Sequence, residues 1–207
     1  MNTLDRQAHW QNVYQTKGER DVSWFQETPE ISLDLIRATG AGKGVSIVDI
    51  GGGASRLADA LLEEGYRSIT VLDLSDQALA TSRARLGARA AQVSWIVADV
   101  TAWQPAGSFD VWHDRAAFHF LTEPQDRLTY GECVRKAVRP GGHVIIGTFA
   151  LDGPERCSGL PVVRHDATTI GNVLGRSFRL AESRRHEHKT PGGAIQRFQF
   201  SRFRRDG

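Results

Sequence analysis

A chain of 207 residues with a net charge of +2 is long enough for one domain with a sizeable core, and its balanced charge calls for no polyanionic partner. Two cysteines, Cys133 and Cys157, are too few for a disulfide framework, which makes the cytoplasm the expected compartment. The opening stretch Met1–Asp5 has no apolar signal core, and no apolar run approaches the roughly 20 residues of a membrane helix, so no membrane association is expected.

The first 37 residues hold most of the unusual chemistry before the first strand. His9-Trp10, Tyr14 and Ser23-Trp24-Phe25 form an aromatic concentration, which we read as a helical lid over a ligand. Pro29-Glu30 then opens a helix with Ile31, Leu35 and Ile36 on one face. Val45–Ile50 is short, apolar and β-branched, the pattern of a buried parallel strand. Residues 54–64 read as a helix ending at Gly65. Ile69–Asp73 is the second strand, and Ser75 caps a helix over 76–86. Val93–Val97 is the third strand and Phe109–His113 the fourth, running on into Asp114-Arg115. Pro124 starts a helix that stops at Arg139-Pro140-Gly141-Gly142. His143–Phe149 is the fifth and most apolar strand. A loop over 150–165 carries Cys157, and Asp166 caps a helix. Residues 178–188 and 194–203 read as two strands joined by Thr190-Pro191-Gly192-Gly193, so one strand runs antiparallel to the rest. Along the last of them, Phe198 and Phe200 face one side and Gln199 and Ser201 the other.

The whole is organised around Asp49-Ile50-Gly51-Gly52-Gly53. A strand, a glycine turn and a helix make the ligand corner of an open α/β sheet, because ligands sit beyond the carboxyl ends of the strands. The turn lacks the Gly-Lys-Ser/Thr of a Walker loop, and Arg56 stands where a dinucleotide fingerprint has its third glycine. An acid at the mouth, Asp49, would repel a pyrophosphate. It suits a ligand carrying an ammonium and a sulfonium, as S-adenosylmethionine (SAM) does. Asp73 ends the second strand, where an acid accepts ribose hydroxyls. Asp99-Val100, after the third strand, offers a carboxylate for an adenine amino group and a backbone amide for the ring.

Asp49-x-Gly51-x-Gly53 resembles motif I of the class I SAM-dependent methyltransferases. Val71-Leu72-Asp73-Leu74-Ser75, Ala98-Asp99-Val100, Phe109-Asp110, Pro140-Gly141-Gly142 and the terminal hairpin follow in that family's order. The resemblance implies a Rossmann-like α/β fold. Its central seven-stranded sheet is mostly parallel, ordered 3-2-1-4-5-7-6 with strand 7 antiparallel, and has helices on both faces. One domain would span 1–207, with the lid over 1–37 and the core over 45–203. The cofactor would be SAM and the product S-adenosylhomocysteine (SAH). The resemblance implies that Gly51 and Gly53 approach the methionine part, Asp73 the ribose and Asp99 the adenine; Asp49, Gly52, Leu74 and Val100 complete the expected cofactor-binding set. Asp114 falls near the methionine end, and Trp10 and Trp24 in the lid.

Trp112-His113-Asp114-Arg115-Ala116 is similar to the Asp-Arg-Gly-Ala segment of thiopurine and thiol methyltransferases, with Ala116 in place of glycine. The opening Tyr14…Ser23-Trp24 is similar to small methyltransferases that modify lysines of translation factors. Asp114, Arg115 and His119 are the candidates on the acceptor side. The favoured acceptor is a small molecule with a thiol or another soft or heteroatom nucleophile. A protein lysine is the alternative, and a non-catalytic SAM-binding module the second alternative. Arg184, Arg185, Lys189, Arg197, Arg202, Arg204 and Arg205 form a charged face without stacking aromatics between them, so no nucleic acid is expected. His186-x-His188 places two imidazoles on one strand face with no third ligand in view, so no metal is expected. The expected state is a monomer or weak homodimer.

Overall fold

A computed structural model describes residues 3–207, with side chains from Asp5 onward. Two helices come first, α1 (Thr3–Thr16) and α2 (Glu30–Arg37). Then follow β1 (Ser46–Ile50), α3 (Leu57–Glu63), β2 (Ser68–Asp73), α4 (Asp76–Leu86), β3 (Val93–Val97), β4 (Phe109–Arg115), α5 (Pro124–Ala137) and β5 (Val138–Phe149). A small hairpin, β6 (Arg156–Cys157) and β7 (Leu160–Pro161), precedes α6 (Ala167–Leu174), β8 (Phe178–Lys189) and β9 (Ile195–Arg205). The seven long strands form one sheet in the order β3-β2-β1-β4-β5-β9-β8. Strands β3 to β5 pair in parallel, and β9 runs antiparallel to both β5 and β8. With β8 and β9 as the sixth and seventh long strands, this is the topology the sequence resemblance implies.

Strand alternation divides the core into two layers. Ile47, Ile69, Val71, Val111 and Ile145 pack on one face with Leu35 and Ile36 of α2, Leu57 and Leu61 of α3 and Leu79 of α4. Val48, Ile50, Leu72, Trp112, Val144 and Ile146 pack on the other with Tyr130 and Val134 of α5 and Ile170 and Leu174 of α6. Each fully buried Leu or Ile contributes about 1.5–3 kcal/mol relative to exposure, so helix positions follow from where the apolar side chains fall.

Several boundaries differ from the sequence reading, each for a local reason. Helix α3 starts at Leu57, not 54, because Ser55 N–H donates to the Gly52 carbonyl (2.7 Å) and closes a turn first. Helix α5 ends at Ala137, since the residue before Pro140 is driven out of helical geometry. Strand β5 therefore starts at Val138, and a shift in its pairing with β4 between Phe109 and Val111 absorbs the Pro-Gly-Gly segment. The loop after β5 contains a two-residue hairpin turn, Ser158-Gly159, with both residues at positive φ (49° and 78°). That is the mirror-image turn geometry that matches strand twist. Gln199 and Ser201 do oppose Phe198 and Phe200, yet all four are buried because β9 lies inside the sheet. The Gln199 amide donates to Ser183 Oγ (2.9 Å) and the Phe200 carbonyl (2.8 Å). Both predicted helix caps form, at Ser75 and, as a capping box with Thr169, at Asp166.

Candidate active site

The carboxyl ends of β1, β2, β3 and β4 open onto one cavity of about 790 Å³, counted out to its mouth, with α1 across it. Asp73, Leu74, Ala98, Asp99 and Val100 wall one end; Trp24, Arg115, Phe120 and Cys157 are in the wall too.

The glycine turn is packed rather than loose. Gly51 has φ +65°, and a Cβ there would stand 2.7 Å from the Ala117 Cβ. A Cβ on Gly53 would meet the Asp73 carboxylate at 2.6 Å. These two glycines let the backbone lie against the 115–118 turn and against Asp73, leaving a cradle above. Gly51 is in the cavity wall, whereas Gly52 and Gly53 lie beneath it. Asp49 lies beneath it as well. His113 Nδ1 holds its Oδ1 at 2.7 Å, and His113 Nε2 reaches Ser32 Oγ on α2 at 2.9 Å. Through His113, Asp49 thus links β1 to β4 and to α2, and it is buried.

Asp73 is the acid the cavity exposes to a ligand. One oxygen accepts from Ser75 N–H (2.8 Å), but no cation pairs with it among the described residues. Burial, with Asp49 nearby, pushes its carboxyl up to about 7. The amides of Gly53 and Leu74 also hydrogen-bond to it, and a diol would bring two further donors to the cavity side. Asp99 is differently placed. Its Oδ1 accepts from Thr101 N–H and Oγ (2.9 and 2.7 Å), and its Oδ2 from Arg6 Nη2 of α1 (2.8 Å). Arg6 also donates to Asp126 of α5 (2.6 Å). The adenine-side acid is therefore shared with the N-terminal helix, and Arg6 is a wall residue the sequence reading missed. Gln11 Oε1 makes a second attachment, accepting from Ser75 Oγ (2.6 Å) and Gln77 N–H (3.1 Å) at the start of α4.

Trp10, Tyr14 and Trp24 line the cavity as the aromatic opening suggests. Trp10 meets Trp24 and Phe120 edge to face, with centroids 5.7 and 4.9 Å apart. Trp24 Nε1 donates to Tyr14 Oη (3.3 Å). Such ring faces attract a sulfonium.

On the acceptor side the three candidates part company. Arg115 lines the cavity. Asp114 does not: its Oδ2 accepts from Tyr130 Oη (2.8 Å), its Oδ1 from the amides of Ala117 and Phe118 (3.0 and 3.1 Å). It pins the turn after β4 to α5, and burial holds its carboxyl up at about 6. His119 is sealed between Phe120 and Phe149. Its Nδ1 accepts from Phe149 N–H (3.3 Å), and burial drives its imidazole down to about 3. Neither is among the residues that line the cavity. Ala116 takes φ +69°, the left-handed conformation in which glycine carries no Cβ penalty. That accounts for glycine in the related segment. Cys157 reaches the cavity from the β6–β7 hairpin, a free thiol that burial pushes up to about 11. Cys133 is buried on α5. His188 Nε2 is engaged by the Ser23 carbonyl (2.8 Å), and His186 packs against Phe200.

Residues 47–142 match the family model of a methyltransferase domain. That segment contains the glycine turn, both cofactor-end acids and β1 to β4. Over that segment the chain is similar to the methyltransferase domain, and its strand order is that of the class I SAM-dependent group. Over 111 residues it is 32% identical to a ubiquinone/menaquinone biosynthesis C-methyltransferase of Roseobacter denitrificans, covering 52% of this chain and 43% of that protein. Over 140 residues it is 24% identical to the human eEF1A lysine and N-terminal methyltransferase, covering 67% of this chain and 20% of that one. The chain thus spans less than half the length of these curated relatives. Among solved structures, a SAM-dependent methyltransferase of Anabaena variabilis superposes with a TM-score of 0.78 at 13% identity, over 99% of this chain and 96% of that one. The Burkholderia thailandensis 1,6-didemethyltoxoflavin-N1-methyltransferase, solved with 1,6-didemethyltoxoflavin and SAH, gives 0.75 at 21% identity, over 100% and 92%. No helix among the described residues is long and apolar enough to cross a membrane.

Proposed function

We propose that this methyltransferase moves the methyl group of SAM to a small-molecule acceptor with a soft nucleophile, a thiol foremost. The observation that carries this reading is the wall of the cavity, to which the N-terminal segment contributes Trp10, Tyr14 and Trp24. The cradle over Gly51, the Asp73 carboxylate in the cavity wall and the Asp99–Val100 edge fit an adenosine with a charged tail. SAM supplies an activated methyl whose leaving group is a neutral thioether. The protein's part is then alignment and exclusion of water. Asp73 would accept the ribose hydroxyls. Trp10, Trp24 and Phe120 would flank the sulfonium and keep water off it.

The acceptor preference follows from protons. Asp114 and His119 are sealed, and the Cys157 thiol and the Tyr14 phenol are held protonated, since burial raises both. Among the described residues of the wall near Arg115, none is placed as a general base. A thiol, with a pKa near about 8.5, supplies its own thiolate at neutral pH. An ammonium acceptor would need a base to become nucleophilic.

A second reading, a protein-lysine acceptor, draws on the similarity to the eEF1A lysine and N-terminal methyltransferases. Methyl-labelled SAM offered with a panel of aliphatic and aromatic thiols, and separately with lysine-containing peptides, separates the two. Label on thiols and not on peptides is expected. Label on peptide lysines alone would replace this reading with the second.

A further inference from the structure

The guanidinium of Arg115 is a cation for which the chain supplies no anion. Its Nη1 donates to the Trp24 carbonyl (2.9 Å). Its Nε and Nη2 are closed to solvent and have no hydrogen-bond partner. No carboxylate among the described residues forms an ion pair with it. Arg127, Arg135 and Arg205 bond two carbonyls each, whereas three other arginines around the cavity and α3 hold carboxylates. Arg6 holds Asp99 and Asp126, Arg56 holds Glu19 and Glu27, and Arg85 holds Glu19 and Asp59. Each has two carboxylates, and Arg115 has none.

What faces Arg115 does not compensate it. Burial keeps the Cys157 thiol protonated, Asp49 is engaged by His113, and burial, with the guanidinium adding to it, depresses His186 and His188 toward the neutral form. Phe198 lies under it, with the ring centroid 5.2 Å from Cζ. Burial lowers its pKa to about 10, which leaves it charged at neutral pH. A buried charge without its counter-charge is costly, and such charges are normally paired. The unused Nε–Nη2 edge is the side of the fork that takes a carboxylate through two parallel hydrogen bonds.

We propose that the acceptor carries a carboxylate, and that it docks on the Nε–Nη2 edge of Arg115 beside Cys157 and Trp24. This rests on the small-molecule reading above and narrows it to anionic acceptors. Both nitrogens are packed over, so the carboxylate arrives by displacing side-chain packing rather than water. The same cation repels an incoming lysine ammonium.

The test uses the full chain saturated with SAH. Calorimetry compares benzoate with benzamide and propanoate with propanamide, pairs that differ in charge and hardly in shape. In at least one pair the carboxylate is expected to bind about tenfold tighter or more, and Arg115→Gln should cut that preference below about threefold. SAH binding by the variant shows that it is folded. If it does not fold, the wild-type pairs still decide. Equal affinities within both pairs, or no carboxylate binding to the SAH-loaded protein, would overturn the proposal. A preference that survives in Arg115→Gln would do so too. If SAH itself does not bind, the failure lies with the methyltransferase reading, and the proposal falls with it.

Discussion

The two ends of the cavity are built by different rules. The cofactor end is made of consecutive strand termini: Asp73 after β2, Asp99 after β3, and the glycine turn after β1. Its acids are fixed by amides one or two residues away, as with Ser75 N–H on Asp73 and Thr101 N–H on Asp99. The acceptor end gathers Trp24 from the segment before α2, Arg115 from the end of β4 and Cys157 from a hairpin past β5. One end follows from topology and short-range hydrogen bonds. The other needs distant segments to meet, and its one strong charge is left without a partner. A fold can therefore keep a cofactor end constant while the acceptor end changes with segments outside the sheet.

The largest effect is expected where the acceptor end is tied to the core. Asp114→Ala removes three hydrogen bonds and leaves the Tyr130 hydroxyl proton and two amides without an acceptor. That should cost about 3 kcal/mol or more, read as a lower midpoint in urea unfolding. A loss below 1 kcal/mol, on the order of a surface change, would show that the 115–118 turn does not depend on this anchor. Arg6→Ala tests the joint between α1 and the cofactor end. Because α1 is a first helix held by few side chains, its amides should exchange about tenfold faster or more, with a smaller change in global stability. Unchanged protection would mean that Gln11 and the aromatic contacts hold α1 alone.

The pH dependence sharpens the contrast further. Asp73 has a folded-state carboxyl raised to about 7, above its unfolded value of about 3.9. Between those values the folded apo protein binds more protons than the unfolded chain, so this group makes stability fall as pH rises from about 4 to about 7. A diol donates to the ionised form, so SAH affinity should strengthen as pH rises through 6 to 7 and level off above. Asp73→Asn should bind weakly and without that slope. An affinity flat in pH for the wild type would contradict the role given to Asp73. The smallest effect is at Ala116, whose φ of +69° penalises a Cβ. Ala116→Gly should stabilise by about 1 kcal/mol, seen as a higher melting temperature. A loss of stability would mean that the Cβ packs too well to be spared.

The same division explains what could be read from sequence. The strands themselves, the caps at Ser75 and Asp166 and the acids at strand ends were legible because each is set by periodicity or by neighbours within a few residues, whereas the order of the strands came from the family resemblance. That Asp49 is turned toward His113 was within reach, since the two share a register position on adjacent parallel strands. The Ser158-Gly159 turn was also signalled, by a Ser-Gly pair that favours positive φ. Arg6 was not: it meets Asp99 across 93 residues, and nothing in the local pattern of α1 marks it. His119 looked available because it follows Arg115 closely, but a turn buries it against Phe149. Side-chain burial in an irregular segment has no period to betray it.

The account rests on Asp73 being the anchor of a cofactor. Titrating SAH into the wild-type chain and into Asp73→Ala by calorimetry at pH 7.5, above the carboxyl's value of about 7, tests this most directly. The account predicts binding at about micromolar strength for the wild type, lost in the variant while its unfolding transition stays cooperative. Absence of wild-type binding, or binding that Asp73→Ala leaves intact, would contradict it.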